Sequence, residues 1–441
     1  MQTTGERGSS YARRRGRWAL CCALALLAPA VVTAAEATRT RIDGVERRLL
    51  EPVAGYAVPI GGALRYDNGA VWSRLVQLAG GPGSRFVVLA TAAGQPQRAA
   101  AQAVAALERH GAVAEALPVA PRLAGTSAVV EAANPRWLER MRGVRGVYFT
   151  GGAQERIVDT LLPDGRPTPL LEAIRDVQRG GGVIAGTSAG AAVMSSVMFR
   201  DAEDSQAVLA GQLRSGQEVD RGLGLVGTGL FVDQHFLRRG RIGRMLALMV
   251  DQGYELGLGV DEDTAAIVHG DEVEVLGTSA VVFVDLRDAR AADATQPLRI
   301  TDARVSLLAS GDRVNLRTRV VTPAPARLAG QSLDPRAPGF EPYYADVPFS
   351  LDMLGASTFA VAMTRLMDSG RTEARGLAFD PAAVRPRGRE RLGFEFRLHK
   401  GPDTVGWFTS AAGAEDYTIV ALRLDVTPVR MADPLYGAWT P

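Results

Sequence analysis

Between residues 54 and 270, short apolar runs rich in β-branched residues recur, each broken by glycine and followed by a stretch with helical spacing. YAVPIGGAL (56–64), RFVVLATAAG (85–94), GVYFTGG (146–152), GGVIAGTS (181–188), GLFVDQHF (229–236), GLGV (257–260) and AAIVHG (265–270) read as strands running into turns. An Ala-rich helix follows the second run and ends in LERHG (107–111), where glycine caps it. Strands that are apolar without alternation are buried on both faces, which argues for parallel pairing under helices. The pattern therefore predicts an α/β fold: a doubly wound, mostly parallel sheet with helices on both faces. In such sheets sites form at the carboxyl ends of the strands.

After residue 270 the texture changes. EVEVLG and AVVFVDL look like paired strands, and 296–318 looks like a β-rich closure. A Pro-rich stretch (323–348) reads as a linker or long loop, followed by a helix near 350–370 and two strands, LGFEFRLHK and YTIVALRLDV. Three segments result: 1–35, a main domain over 36–319, and a C-terminal β-rich accessory region over 320–441.

Residues 1–35 join a basic start (Arg13, Arg14, Arg15, Arg17) to an apolar run over 18–32 and small residues at 33–35. That is the layout of a secretory signal peptide, and the run is short for a membrane span. An uncleaved anchor is the alternative. The segment holds five arginines and one acid, so its removal turns the formal charge of +2 into −2. Nothing then points to nucleic acid. Both cysteines, Cys21 and Cys22, leave with it, so disulfides and cysteine metal sites are not expected in the mature chain. A periplasmic or secreted protein, free of the membrane after cleavage, is the expectation.

The string GTSA occurs at 125–128, 186–189 and 277–280. Only the middle copy continues into GTSAGAAVMSS. Gly186, Ser188 and Gly190 give the G-x-S-x-G context of a nucleophile elbow, in which a serine sits on a strained turn from strand to helix. Ser127 and Ser279 lack the closing glycine and read as turns into a strand or an irregular segment. A hydroxyl needs a base at neutral pH, and the chain has four histidines. His110 falls at a helix end, His269 in a turn and His399 far along the accessory region. His235, just after an apolar strand, is the best placed. Asp261, Glu262 and Asp263 all lie at another strand end, and spacing does not choose among them as the base's partner.

GTSAGAAVMS, DQHFLRRGRIGR and GVDEDTAA, in that order, with IGGAL and FTGGAQERI upstream, resemble the cyanophycinase family. These are serine peptidases of the class I glutamine-amidotransferase-like fold, and the resemblance spans about residues 54–280. It implies Ser188 as nucleophile, His235 as base and Glu262 as the third member. It implies an oxyanion hole from the N–H groups of Gly152 and Ala189. It implies substrate contacts from Gln154, Asp233, Gln234, Arg239, Arg241 and Arg244, with Asp233 facing a substrate guanidinium. The substrate implied is cyanophycin, poly-aspartate bearing arginine through isopeptide bonds, and the product is β-Asp-Arg. No metal or organic cofactor is implied, and the resemblance suggests a homodimer. Ala153 departs from the family, which usually has Asp or Asn there. An aspartyl-dipeptide peptidase and a non-catalytic binding protein on the same scaffold are the alternative readings.

Overall fold

The computed structural model describes residues 41–42, 45–125, 127–201, 204–291, 297–380, 391–410, 416–432 and 435. Residues 1–35, expected to form a signal peptide, lie outside them. The chain runs through β1 (Val53–Ile60), α1 (Gly69–Leu78), β2 (Arg85–Leu89), α2 (Pro96–Arg109), β3 (Val113–Leu117), β4 (Gly146–Phe149), α3 (Gln154–Leu161), α4 (Pro169–Arg179) and β5 (Val183–Thr187). It continues through the single-turn α5 (Ala189–Ala192), β6 (Leu230–Asp233), α6 (Ile242–Gln252), β7 (Leu256–Val260), β8 (Thr264–Gly270), β9 (Glu272–Gly277), β10 (Ala280–Asp285) and β11 (Ile300–Ala309). The last long elements are α7 (Thr358–Met367), β12 (Glu373–Ala378), β13 (Arg391–His399) and β14 (Asp416–Met431), with shorter pieces between.

The first sheet has the order β9–β8–β1–β5–β4–β2–β3. The five strands from β1 to β3 in that order are parallel, and β8 and β9 extend them antiparallel. Consecutive residues of the inner parallel strands β1, β2, β4 and β5 enter opposite cores, while the edge strand β3 buries only Leu117. Ala57, Val87 and Ile184 pack with Ile157 and Ile174 of α3 and α4. Val58, Val88 and Ala185 pack with Trp72 and Leu107 of α1 and α2. Side chains alternate across a strand, so burying both faces requires the continuous apolar runs seen in the sequence. The α/β fold with helices on both faces is present.

β6 and β7 depart from the expected placement. They pair in parallel with each other but belong to a second sheet, β6–β7–β10–β11–β14–β13–β12, whose other pairs are antiparallel. β7 takes β10 as its neighbour, a strand just as apolar. Hydrophobicity records that a strand is buried on two sides, not which sheet it joins. The second sheet also runs across residue 319: β11 pairs with β14, and β14 with β13.

Candidate active site

Strand ends from both sheets converge. β1 runs into Gly61 and Gly62, β5 hands over to Ser188, and β6 ends two residues before His235. β7 crosses to β8, and so from one sheet to the other, through Asp261, Glu262 and Asp263.

Ser188 holds φ 53 and ψ −111, a left-handed setting that costs a non-glycine residue about 1–3 kcal/mol. Its N–H reaches the carbonyl of Ile60 at 3.0 Å. A Cβ on Gly186 would stand 2.6 Å from the Gly190 carbonyl, and one on Gly190 would stand 2.7 Å from Phe149. Chain lies against chain on both sides of the turn, so the spacing admits only glycine. The helix that the elbow leads into stops after one turn, at Ala192. The carbonyls of Val193, Met194 and Ser195 instead accept from Leu223, Leu225 and Gly224 at 2.7, 2.6 and 3.1 Å, and Val197–Phe199 forms a short strand.

Ser188 Oγ lies 2.9 Å from His235 Nε2, and His235 Nδ1 lies 2.6 Å from Glu262 Oε1. An ionised carboxylate only accepts, so Nδ1 carries the proton and Nε2 is left to accept from the serine hydroxyl. Burial lowers the imidazole below its ordinary pKa of 6.5; Arg239 and Arg241 push the same way, against Glu262. The shift favours the neutral ring near pH 7, the form in which an imidazole can act as a general base. Gly62, at φ +118, makes room for it, since a Cβ there would come within 2.3 Å of the imidazole. His235 itself has φ 46 and donates its N–H to Gly61 at 2.6 Å.

The three neighbouring acids do three jobs. Glu262 faces the imidazole. Asp261 accepts from the N–H groups of Leu237 and Arg238 at 3.0 and 2.9 Å and from Ser279 Oγ at 2.7 Å. Asp263 accepts from Arg65 N–H at 3.0 Å, Asn68 Nδ2 at 2.9 Å and Thr278 Oγ1 at 3.0 Å. The third GTSA thus braces the crossover and enters β10. Ser127, in the first copy, leads instead into the short helix Ala128–Glu131. Sequence reading passed over Gly62, weighed Asp261 only as a partner for the base, and took Ser279 for a turn without seeing that both brace the crossover. The signal for Asp261 was its place in the acid run, and for Ser279 the recurrence of GTSA.

The loop after β4 passes beside the serine: a Cβ on Gly151 would lie 3.2 Å from Ser188 Cβ. Gly152 holds φ +144 with its would-be Cβ 2.0 Å from the Ala92 carbonyl, so glycine is obligatory there. Among the described residues nothing accepts from the N–H of Gly152 or of Ala189, which leaves both donors open. Ala153 occupies the N-cap of α3 and offers no side-chain bond. An Asp or Asn at this place would be a good cap. Gln154 Nε2 donates to the carbonyls of Phe199 and Arg200 at 3.0 and 3.3 Å.

The arginines divide. Arg239 is exposed. Arg241 is buried and donates to the Gln234 carbonyl at 2.7 Å. Arg244 is buried, grips Asp233 through Nε at 2.8 Å and Nη2 at 2.5 Å, and lies over the Phe199 ring at 4.3 Å. Burial works to raise the pKa of Asp233, but Arg244 and Arg241 outweigh it and hold the carboxyl below its ordinary range. In this structure the guanidinium that Asp233 holds is the chain's own, where the resemblance put a substrate's. Gln234 is buried, and among the described residues its Oε1 has no partner. Removing one member of a buried pair leaves the other charged and uncompensated. Asp233→Ala should therefore destabilise the fold by about 3–5 kcal/mol, read as a fall in the urea midpoint. An unchanged midpoint would show that the pair contributes nothing.

The remaining histidines are placed elsewhere. His110 ends α2 and meets Ser73 Oγ at 2.9 Å. His269 stacks on Tyr56 at 4.2 Å between ring centres. His399 lies on β13, 3.4 Å from Asp425. Among the described residues no helix is long and apolar enough to cross a membrane.

Comparison with known proteins gives the geometry its context. Peptidase family S51 matches residues 66–276. The chain is 37% identical over 191 residues to the cyanophycinase of Trichormus variabilis, covering 42% of this chain and 61% of that one. It is 31% identical over 268 residues to the cyanophycinase of Geminocystis herdmanii, covering 59% of this chain and 93% of that one. A solved peptidase from an acI-B1 Actinobacterium is 22% identical, with a TM-score of 0.44 over 60% of this chain and 97% of the other. The chain thus spans 61% of the Trichormus relative, yet nearly all of the Geminocystis one. With the elbow, the histidine and the acid run all inside the matched span, this chain belongs to peptidase family S51, alongside the cyanophycinases.

Proposed function

We propose that this chain is an exported serine exopeptidase that hydrolyses cyanophycin, multi-L-arginyl-poly-L-aspartate, to β-Asp-Arg dipeptides. The observation that carries the reading is the unbroken relay from Ser188 through His235 to Glu262, at 2.9 and 2.6 Å, with His235 on the loop that also bears Arg239. Release of an intact β-Asp-Arg unit requires cutting backbone peptide bonds and sparing the isopeptide bond. Ser188 Oγ attacks the scissile carbonyl while His235 Nε2 takes its proton. The oxyanion of the tetrahedral intermediate accepts from the N–H groups of Gly152 and Ala189. The imidazolium, steadied by Glu262, returns the proton to the departing amine and leaves an acyl-enzyme. Water then attacks the ester with His235 as base, and Ser188 is restored. A substrate rich in free carboxylates suits an arginine-bearing loop, because guanidinium pairs carboxylate in a two-bond fork. Arg239 is the exposed candidate. Export rests on the charge and apolar layout of residues 1–35 and is read by N-terminal sequencing of the exported chain.

The substrate test uses the purified chain with cyanophycin and with Asp-X dipeptides. The expected result is soluble dipeptide released from the polymer. Cleavage of the small dipeptides alone would replace this reading with an aspartyl-dipeptide peptidase. Binding of polymer without cleavage of either would replace it with a non-catalytic binding protein.

A further inference from the structure

The loop that follows β6 carries both His235 and Arg239, and it is held from two directions. From the crossover side, Asp261 accepts from the N–H groups of Leu237 and Arg238. From the other side comes a segment of the C-terminal region, far along the chain. The N–H of Ser357 donates to the carbonyl of Leu237 at 2.8 Å. Gly240, at φ +57, lies so close to Leu354 that a Cβ would stand 1.7 Å from its carbonyl oxygen. The segment is itself anchored. Ser350 and Met353 donate to Arg375 and Leu377 of β12 at 3.1 and 2.7 Å. Met353 is fully buried in one core with Phe236 and Leu237.

We propose that residues 354–357 are a positioning element for catalysis. They form a backstop, borne by the second sheet, that fixes the loop carrying the base and the exposed arginine. This rests on the reading of Ser188, His235 and Glu262 as the catalytic set. Three observations converge on it. His235 holds φ 46, a setting that persists only when its surroundings over-determine it. The loop backbone is bonded on both flanks, through Asp261 and through Ser357. The contact at Gly240 is backbone against backbone, so it cannot yield by a side-chain rotation. The C-terminal region would then serve the active site directly, and its β-strands would serve to hold this segment in place.

Gly240→Ala tests it in the full chain. The added methyl must displace the segment or the loop. A misplacement of about 1 Å at a catalytic group costs about 10²-fold in rate. A fluorophosphonate probe reads the reactivity of the serine without assuming a substrate. The expected result is a maximal labelling rate lowered about 10²-fold, with the half-saturating probe concentration within about twofold of wild type. The exposed Leu351→Ala, on the same stretch but clear of the loop, should label like wild type. Labelling of Gly240→Ala at the wild-type rate would overturn the proposal, provided that Ser188→Ala is inert. Labelling of Ser188→Ala would instead sink the catalytic reading itself. Should Gly240→Ala fail to fold, hydrogen exchange in the wild-type chain decides. Ser357 and Leu237 amides exchanging at matched slow rates support the backstop, and a Ser357 amide exchanging far faster than that of Leu237 overturns it.

Discussion

Ser188→Ala should abolish turnover, lowering kcat by roughly 10⁴–10⁶-fold while leaving the fold and KM nearly intact. The size of the effect follows from the arrangement. In the mechanism proposed above the hydroxyl is the one group in the relay that bonds to the substrate carbon, so its loss would remove the covalent route rather than weaken it. What survives is the part of catalysis that does not need a nucleophile: binding, and the open N–H donors of Gly152 and Ala189. Alanine suits the site sterically, being smaller than serine, and inherits the same φ of 53. The measurement is single-turnover release of product beside a urea melt. A variant that keeps more than about a hundredth of the wild-type kcat with an unchanged melt would show that Ser188 is not the nucleophile.

The elbow was legible in the sequence because half of its constraint is local. Gly186 is demanded by the Gly190 backbone within the turn itself, so the spacing G-x-S-x-G carries that geometry, whereas Gly190 is demanded by Phe149 on the neighbouring β4. His235 was legible for a similar reason, since it follows an apolar strand directly. The third member was not. Asp261, Glu262 and Asp263 lie in a crossover between sheets, where neighbouring side chains point in different directions. Which one meets the imidazole depends on how β6, β7 and β1 stand relative to each other. That is a long-range fact which no periodicity records, and only resemblance to a family chose Glu262 beforehand.

The arginines show the opposite limit. Arg239, Arg241 and Arg244 look alike as a basic run. Yet Arg241 and Arg244 stand at the start of α6 three residues apart, on one helix face, and that face turns inward onto Asp233. A chain with a net charge near zero can still place two guanidinium groups in its interior, provided that a carboxylate is already there. The C-terminal region was hidden for yet another reason. Its strands were visible, but their sheet partner was not, because β14 finds β11 more than a hundred residues upstream.

Glu262→Gln should leave the structure standing and still cost about 10²–10⁴ in kcat. The amide is nearly the same size, and its carbonyl can still accept from His235 Nδ1. It cannot supply the negative charge that stabilises the imidazolium formed as Ser188 gives up its proton. It can also turn its NH₂ toward Nδ1. That would move the proton to Nε2 and deprive the serine of its acceptor. The pH dependence gives an independent sign. Activity needs the neutral ring, so kcat/KM rises with pH through the His235 pKa and then levels off. Burial, with Arg239 and Arg241, places that pKa below 6.5, and Glu262 is the influence that raises it. In the wild type the acid limb should therefore fall below pH 6.5. In Glu262→Gln the limb should move to still lower pH while the plateau drops. A limb that moves upward, or a plateau that holds, would mean that Glu262 does not face a protonating histidine during turnover. The same profile taken on Asp261→Asn separates the neighbours. That carboxylate meets backbone N–H groups rather than the ring, so its limb should stay where the wild type puts it even if the loop loosens and the plateau falls.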